Sequence, residues 1–189
     1  MPAALDYAER AALWQVVGWY SLALLFLVLA LRCARPSDPK MGIGRPQHQG
    51  TRTTLIGVAL SLPIGFWLVA VTTNPWGSPL SEFLQFLTVV PEHFLIFGIV
   101  ATVLMPGRRL RWPQPSERQG AGAAYAMVAT GIVFGLAHIG KPNVAEVVTS
   151  FPLGLLFAWM TIHSGSIWPA VIAHCTLNLI PMAVLPSGA

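Results

Sequence analysis

Charge and cysteine are both scarce in this sequence. Lysine, arginine, aspartate and glutamate together make up 10% of the 189 residues, against roughly one quarter in an ordinary soluble domain. The two cysteines, Cys33 and Cys175, lie far apart and form no CxxC pair, so neither a disulfide framework nor a zinc knuckle is indicated. The shortage of charge argues against a soluble domain, and we expect both cysteines to be packing residues.

Apolar residues, in contrast, make up 54% of the chain, and its mean hydropathy is +0.64. Runs of about 20 residues with little or no charge recur along the whole length, and each is long enough to cross a hydrocarbon core about 30 Å thick as a helix. The pattern predicts an all-α fold, a polytopic membrane helical bundle of about six transmembrane helices. The predicted spans are residues 13–31, 54–73, 80–105, 120–138, 144–162 and 166–185.

The few basic residues lie mainly at the ends of these apolar runs. The net charge is +4 and the isoelectric point 9.6, but this placement is the one that orients membrane proteins, so we predict no nucleic-acid partner. Two loops, residues 32–52 and 107–120, hold most of the arginines and are separated by two predicted spans. We expect both loops on the cytoplasmic side of a multi-pass protein of the bacterial cytoplasmic (inner) membrane, with both termini outside.

Five polar residues on the predicted spans need partners. Glu92 and His93 lie within the third span, His138 ends the fourth, and His174 and Asn178 lie in the sixth. Inserting an acidic side chain at mid-membrane costs on the order of 3 kcal/mol, so such residues usually face one another or a wet cavity. His174 and Asn178 are four residues apart and therefore share a helix face. The depths of Glu92, His138, His174 and Asn178 predict one cavity between the membrane centre and the outer surface, whereas His93, adjacent to Glu92, points about 100° away from it.

Other residues on these spans have more than one interpretation. Glu146, near the outer end of the fifth span, either snorkels to the interface or lines the same cavity, and His163, at the other end, is expected at the membrane interface. Gly131 and Gly135 form a GxxxG spacing, which predicts close packing against another helix. A single polar residue in a span is often only hydrogen-bonded in a helix interface, but a glutamate with histidines and an asparagine on three spans favours a functional site.

Three stretches resemble the motifs of a known family. They are Pro91-Glu92-His93 with Phe97, Phe134-Gly-Leu-Ala-His138, and His174-Cys-Thr-Leu-Asn178. In this order they are similar to the EExxxR, FxxxH and HxxxN motifs of the CPBP family, the CAAX prenyl endopeptidase and bacteriocin-processing (ABI) intramembrane proteases. The second and third motifs match in full, whereas in the first His93 stands where the family has its second glutamate and Phe97 where it has arginine. The resemblance covers residues 80–189 and implies a four-helix catalytic core there, after two leading transmembrane helices and a basic cytoplasmic linker in residues 1–79.

The resemblance implies an intramembrane endopeptidase of the glutamic type without a cofactor. In the family, the first glutamate and the FxxxH histidine are taken to activate a water, while the histidine and asparagine of the third motif stabilise the oxyanion. Carried over by position, Glu92 and His138 become the base pair, and His174 and Asn178 the oxyanion donors. The candidates for a supporting role are His93, Phe134 and Glu146.

Three alternatives stay open. Glutamate and neutral histidine are also normal zinc ligands, so a zinc-dependent hydrolysis ranks second, although no HExxH is present. His93 and Phe97 replace both halves of a possible ion pair at helical i,i+4 spacing. This exchange indicates an altered support of the site, and it also permits an inactive relative that acts as a binding or immunity-type membrane protein. A transporter fits less well because the chain shows no inverted repeat.

The expected partners are the lipid bilayer and a membrane-associated protein or peptide substrate. The resemblance implies a membrane-anchored or prenylated substrate. Because the orientation predicted from the basic loops puts the cavity toward the outer side, a C-terminal sorting tail is the substrate that we infer from the sequence.

Overall fold

The computed structural model describes residues 7–33, 50–71, 79–100, 121–139 and 144–184. All regular structure within these ranges is helical, and each helix covers most of the span predicted for it, which confirms the all-α bundle. Residues 101–105 of the third predicted span and most of the two basic loops lie outside the described ranges. The helices are α1 (Tyr7–Cys33), α2 (Gly50–Val71), α3 (Pro79–His93), α4 (Ala121–Ala137), α5 (Val144–Ser164) and α6 (Trp168–Val184).

The core of the bundle lies around α5. Helix α4 packs along α5, α2 packs along α6 and also contacts α5, and α1 packs along α3. Large buried side chains fill the space between these helices, and aromatic rings are prominent among them. Cys175 packs against this core, as expected from the sequence. The core includes Val89, Leu95, Ile96, Phe97, Phe134, Leu153, Phe157, Met160, Ile167 and Leu177.

The outer surface of the bundle is apolar. Every helix presents at least one large, exposed hydrophobic side chain, which is the surface that a hydrocarbon environment accepts and water does not. Within the described residues α5 is long and apolar enough to cross a membrane, and four shorter apolar stretches are Leu13–Leu25, Phe86–Gly98, Ala123–Ala137 and Trp168–Ile180. The exposed side chains include Trp14, Leu55, Phe83, Tyr125, Val148 and Leu179.

Small residues allow α4 and α5 to approach closely. A Cβ on Gly131 would lie 2.9 Å from the backbone nitrogen of Leu155, and one on Gly154 would lie 2.7 Å from the carbonyl oxygen of Gly131. Gly135 likewise faces the ring of Phe151. Since lipid tails are as apolar as the side chains, close packing of this kind is a main source of helix association in membranes. The packing role predicted for the GxxxG spacing is confirmed.

A tight, buried turn joins α5 to α6. Gly165 has a φ of 69°, a left-handed conformation that glycine adopts at little cost. The amide of Gly165 donates to the carbonyl of Thr161 at 2.9 Å, and the hydroxyl of Ser164 donates to the carbonyl of Ser166 at 2.9 Å. Because its polar groups are bonded locally, the turn sends the chain straight back into α6 and lays α6 against α5.

Helix α3 changes its geometry at the first motif. Pro91 lies inside the helix and has no N–H, so the carbonyl of Leu87 receives no backbone hydrogen bond from it. Three residues after Pro91, α3 continues without a break into a π-helical segment, Phe94–Val100. Such wider turns often occur at functional sites, and this one directly follows Glu92 and His93.

Candidate active site

Five of the six helices contribute to a cavity of about 260 Å³. The structure brings to it all four residues that the sequence analysis assigned to catalysis: Glu92 from α3, His138 just after α4, and His174 and Asn178 from α6. Glu146 of α5 also lines the cavity. The remaining lining residues are Gln15, Trp19, Thr88, Val89 and Ala137.

Glu92 and His138 face each other across the cavity. The Oε1 atom of Glu92 lies 3.9 Å from Nε2 of His138, and the two side chains are only 7% and 13% exposed. The Nδ1 atom of His138 is 2.8 Å from the carbonyl oxygen of Phe134. A carbonyl only accepts hydrogen bonds, so Nδ1 carries the proton and, in the neutral ring, Nε2 presents a lone pair toward the carboxylate.

His174 and Asn178 lie one turn apart on the face of α6 that borders the cavity. The ring of His174 stacks on Phe157, with centroids 5.1 Å apart and planes inclined by 21°, and it meets Phe134 at 5.9 Å edge to face. These contacts hold the imidazole in one orientation. Asn178 is half-buried at the same wall, so both side chains can donate hydrogen bonds to a group in the cavity.

His93 does not line the cavity but lies behind it, fully buried. Its ring centroid is 4.8 Å from that of Phe97, 5.2 Å from that of Phe157 and 5.0 Å from that of His174. Two rings in contact therefore occupy the positions at which the related motif has an acid and a base. Nδ1 of His93 donates to the carbonyl of Val89 at 3.0 Å.

Phe134 links the two halves of the site. Its ring lies 4.6 Å from that of His138 and 5.3 Å from that of Phe97, and its backbone carbonyl accepts the hydrogen bond from His138. His163, in contrast, stacks on Trp159 at 5.3 Å and is not among the cavity residues. Phe134 thus acts by packing and by orienting the histidine.

Five cavity residues were not singled out from the sequence, and three of them, Gln15, Trp19 and Thr88, carry a polar or a large aromatic side chain. Gln15 and Trp19 come from α1 and Thr88 from α3, one turn before Glu92. Gln15 is an amide within an otherwise apolar stretch of its span, so the rule that polar residues in a span face a cavity was sufficient to find it. Trp19 gives no such signal because a tryptophan is equally at home facing lipid.

A comparison with models of protein families identifies the family of this chain. The family model described as type II CAAX prenyl endopeptidase Rce1-like matches residues 61–180, more than half of the sequence. The chain belongs to this Rce1-like family. All three motifs lie within the match, so the resemblance drawn from them is confirmed. Proteins of the Rce1-like family are membrane-embedded proteases of the CAAX type. No curated protein and no solved structure gave a significant match.

Proposed function

We propose that this chain is an intramembrane endopeptidase of the glutamic type, in which Glu92 and His138 activate a water to cleave a peptide bond. The observation that carries the proposal is the presence of Glu92, His138, His174 and Asn178, from three parts of the chain, around one cavity. Membership of a family of CAAX prenyl endopeptidases supports proteolysis in general.

The separation of Glu92 and His138 fits a bridging water. At 3.9 Å their facing atoms are too far apart for a direct hydrogen bond, but a single water about 2.8 Å from each reaches both. Such a water donates one hydrogen to Oε1 of Glu92 and the other to Nε2 of His138, which leaves its own lone pairs for attack. Burial of the pair keeps competing water away and strengthens both bonds.

The second pair, His174 and Asn178, has the chemistry of an oxyanion site. As the water oxygen bonds to the carbonyl carbon, its proton passes to Glu92 and negative charge develops on the carbonyl oxygen. Ring and amide N–H groups from His174 and Asn178 stabilise that charge, and such donors act most strongly where water is scarce. When the C–N bond breaks, Glu92 returns the proton to the leaving amine, so the products are one carboxylic acid and one amine.

A membrane-anchored or prenylated protein or peptide is the proposed substrate. The cavity of about 260 Å³ is slightly smaller than typical ligand sites, which begin at about 300 Å³, so it suits a peptide bond with short side chains on either side. An apolar outer face keeps the protein where a lipid-anchored substrate is concentrated. The bilayer thus delivers the substrate, and the cavity selects the bond.

The decisive experiment replaces Glu92 by glutamine. Glu92→Gln keeps the size of the side chain but removes the base, so hydrolysis of a prenylated CAAX reporter peptide should fall by about 10²–10⁴-fold. Glu146→Gln is the matched comparison: it makes the same change in the same cavity but leaves the pair of Glu92 and His138 intact, so it should lose much less activity than Glu92→Gln. Gel filtration and circular dichroism in detergent check that both variants fold.

An inactive binding protein predicts a different result. In that case neither the wild type nor the Glu146→Gln variant cleaves any lipid-anchored reporter. A growth or resistance phenotype caused by deleting the gene is then restored by the Glu92→Gln variant as well as by the wild type. Equal activity of Glu92→Gln and the wild type refutes the proposed role of the glutamate.

A further inference from the structure

Glu92, His93 and His174 form a buried cluster at the cavity wall, where Glu92 and His174 line the cavity and His93 lies behind them. Each offers one potential ligand atom, and the three atoms all lie within 4.8 Å of one another. Among the described residues this is the one group of three or more such side chains. The combination depends on this chain's own sequence, because the related motif has a second glutamate where His93 stands.

His93 has one ring nitrogen available to bind a metal ion. Since its Nδ1 donates to the carbonyl of Val89 at 3.0 Å, the lone pair of the neutral ring is on Nε2. That atom is buried and has no hydrogen-bond partner among the described residues, which is unfavourable for a polar atom. A hydrogen bond from the far ring nitrogen to a backbone carbonyl is also the usual outer contact of a metal-binding histidine.

We propose that a divalent transition-metal ion of the zinc type binds between Glu92, His93 and His174 and inhibits this site. Two imidazoles and a carboxylate are a normal set of zinc ligands, whereas magnesium and calcium prefer oxygen alone. Bonds of about 2.0–2.1 Å in a tetrahedron put ligand atoms roughly 3.3 Å apart. The side chains therefore have to close by at most about 1.5 Å from the separations of 4.8 Å or less, which rotations about side-chain bonds supply.

His138 lies outside this group of three, and a rotation of its side chain toward Glu92 supplies the fourth position. Its Nε2 faces Glu92 at 3.9 Å, and its Nδ1 is likewise bonded to a backbone carbonyl. Four protein ligands leave no coordination position for water, and such closed sites are structural, while catalytic zinc keeps one position open. The metal also occupies the carboxylate that has to accept the proton from water. Binding itself is independent of the proposed protease function, whereas inhibition rests on it.

The test measures metal binding without substrate. Protein purified in detergent, treated with a chelator and then dialysed, is titrated with Co²⁺ alone, whose visible absorption reports tetrahedral coordination, and the Co²⁺ is then displaced with Zn²⁺. We expect one Co²⁺ per chain, displaced by Zn²⁺, and at least about tenfold weaker binding in His93→Gln. The matched control, His163→Gln, changes a histidine that stacks on Trp159 outside the cluster and should bind as the wild type does.

Either of two results would overturn the inference. One is that the wild type binds no stoichiometric Co²⁺, and the other is that His93→Gln and His163→Gln bind Co²⁺ with equal affinity. A second measurement needs no variant. X-ray absorption at the zinc edge of the wild type should show imidazole nitrogen and oxygen only, and sulfur from Cys175 would refute the assignment. Saturating Zn²⁺ should abolish hydrolysis of the reporter peptide by the wild type, and activation would refute inhibition. Failure to bind metal leaves the proposed protease intact, and an inactive protein that still binds metal fails only the proposed function.

Discussion

His93 and Phe97 are four residues apart and in ring contact, with centroids 4.8 Å apart, and both are fully buried. The related motif has glutamate and arginine at these positions, a spacing that allows an ion pair. If the two rings occupy the space of that pair, then His93→Glu and Phe97→Arg should each lower the free energy of unfolding when made alone. Made together, they should lower it by less than the sum of the two single effects. The two single variants and the double variant form a double-mutant cycle, and the burial of both residues allows an estimate of the coupling energy.

Each single exchange buries one unpaired charge, which costs about 3–5 kcal/mol in a protein interior. Independent effects would therefore sum to about 6–10 kcal/mol in the double variant. A restored ion pair in place of two uncharged rings costs only about 1–4 kcal/mol, so we expect a coupling energy of at least about 2 kcal/mol in the stabilising direction. The measurement is an SDS or urea unfolding titration in detergent micelles, followed by far-UV circular dichroism.

A matched cycle provides the control. Trp159 and His163 are also four residues apart and stacked, with centroids 5.3 Å apart, but they are only half-buried. The exchanges Trp159→Arg and His163→Glu should couple by less than about 1 kcal/mol because solvent screens the pair. If the effects of His93→Glu and Phe97→Arg add to within about 0.5 kcal/mol, the two rings do not replace an ion pair and the reasoning is wrong.

Two further outcomes follow from the same geometry. Asn178→Ala removes one proposed oxyanion donor, so kcat on a reporter peptide should fall by about 10²–10³-fold with little change in KM, and a change confined to KM would contradict that role. Gly154→Ala places a Cβ 2.7 Å from the carbonyl oxygen of Gly131 and should destabilise the bundle by about 1–3 kcal/mol in the same unfolding titration. Gly18→Ala, with nothing within 4 Å of the added Cβ, is the control and should not destabilise; equal losses would refute the packing argument.

The positions of the helices followed from the sequence because charge-free runs of sufficient length have few alternatives in a membrane. The residues of the candidate site followed for a related reason: Glu92, His138 and His174 are expensive in lipid, so their positions predict a shared cavity. Three short motifs then identified the family. The catalytic roles, the orientation and the substrate remain predictions.

What the sequence could not supply is which face of each helix meets which neighbour. A helix in lipid is apolar all round, so no hydrophobic stripe marks its buried side. For this reason Trp19 of α1 was not found, although α1 packs along α3 and contributes to the cavity wall.

His93 illustrates what the sequence determined and what only the tertiary structure decided. The sequence determined that an ionisable residue, His93, follows Glu92. It also determined that the arginine of the related motif is replaced by Phe97. Only the tertiary structure decided that this histidine turns away from the cavity into a cluster of rings with Phe97, Phe157 and His174. The physical reason is that adjacent residues on a helix point about 100° apart, and the packing of three other segments decides which of the two directions is the cavity.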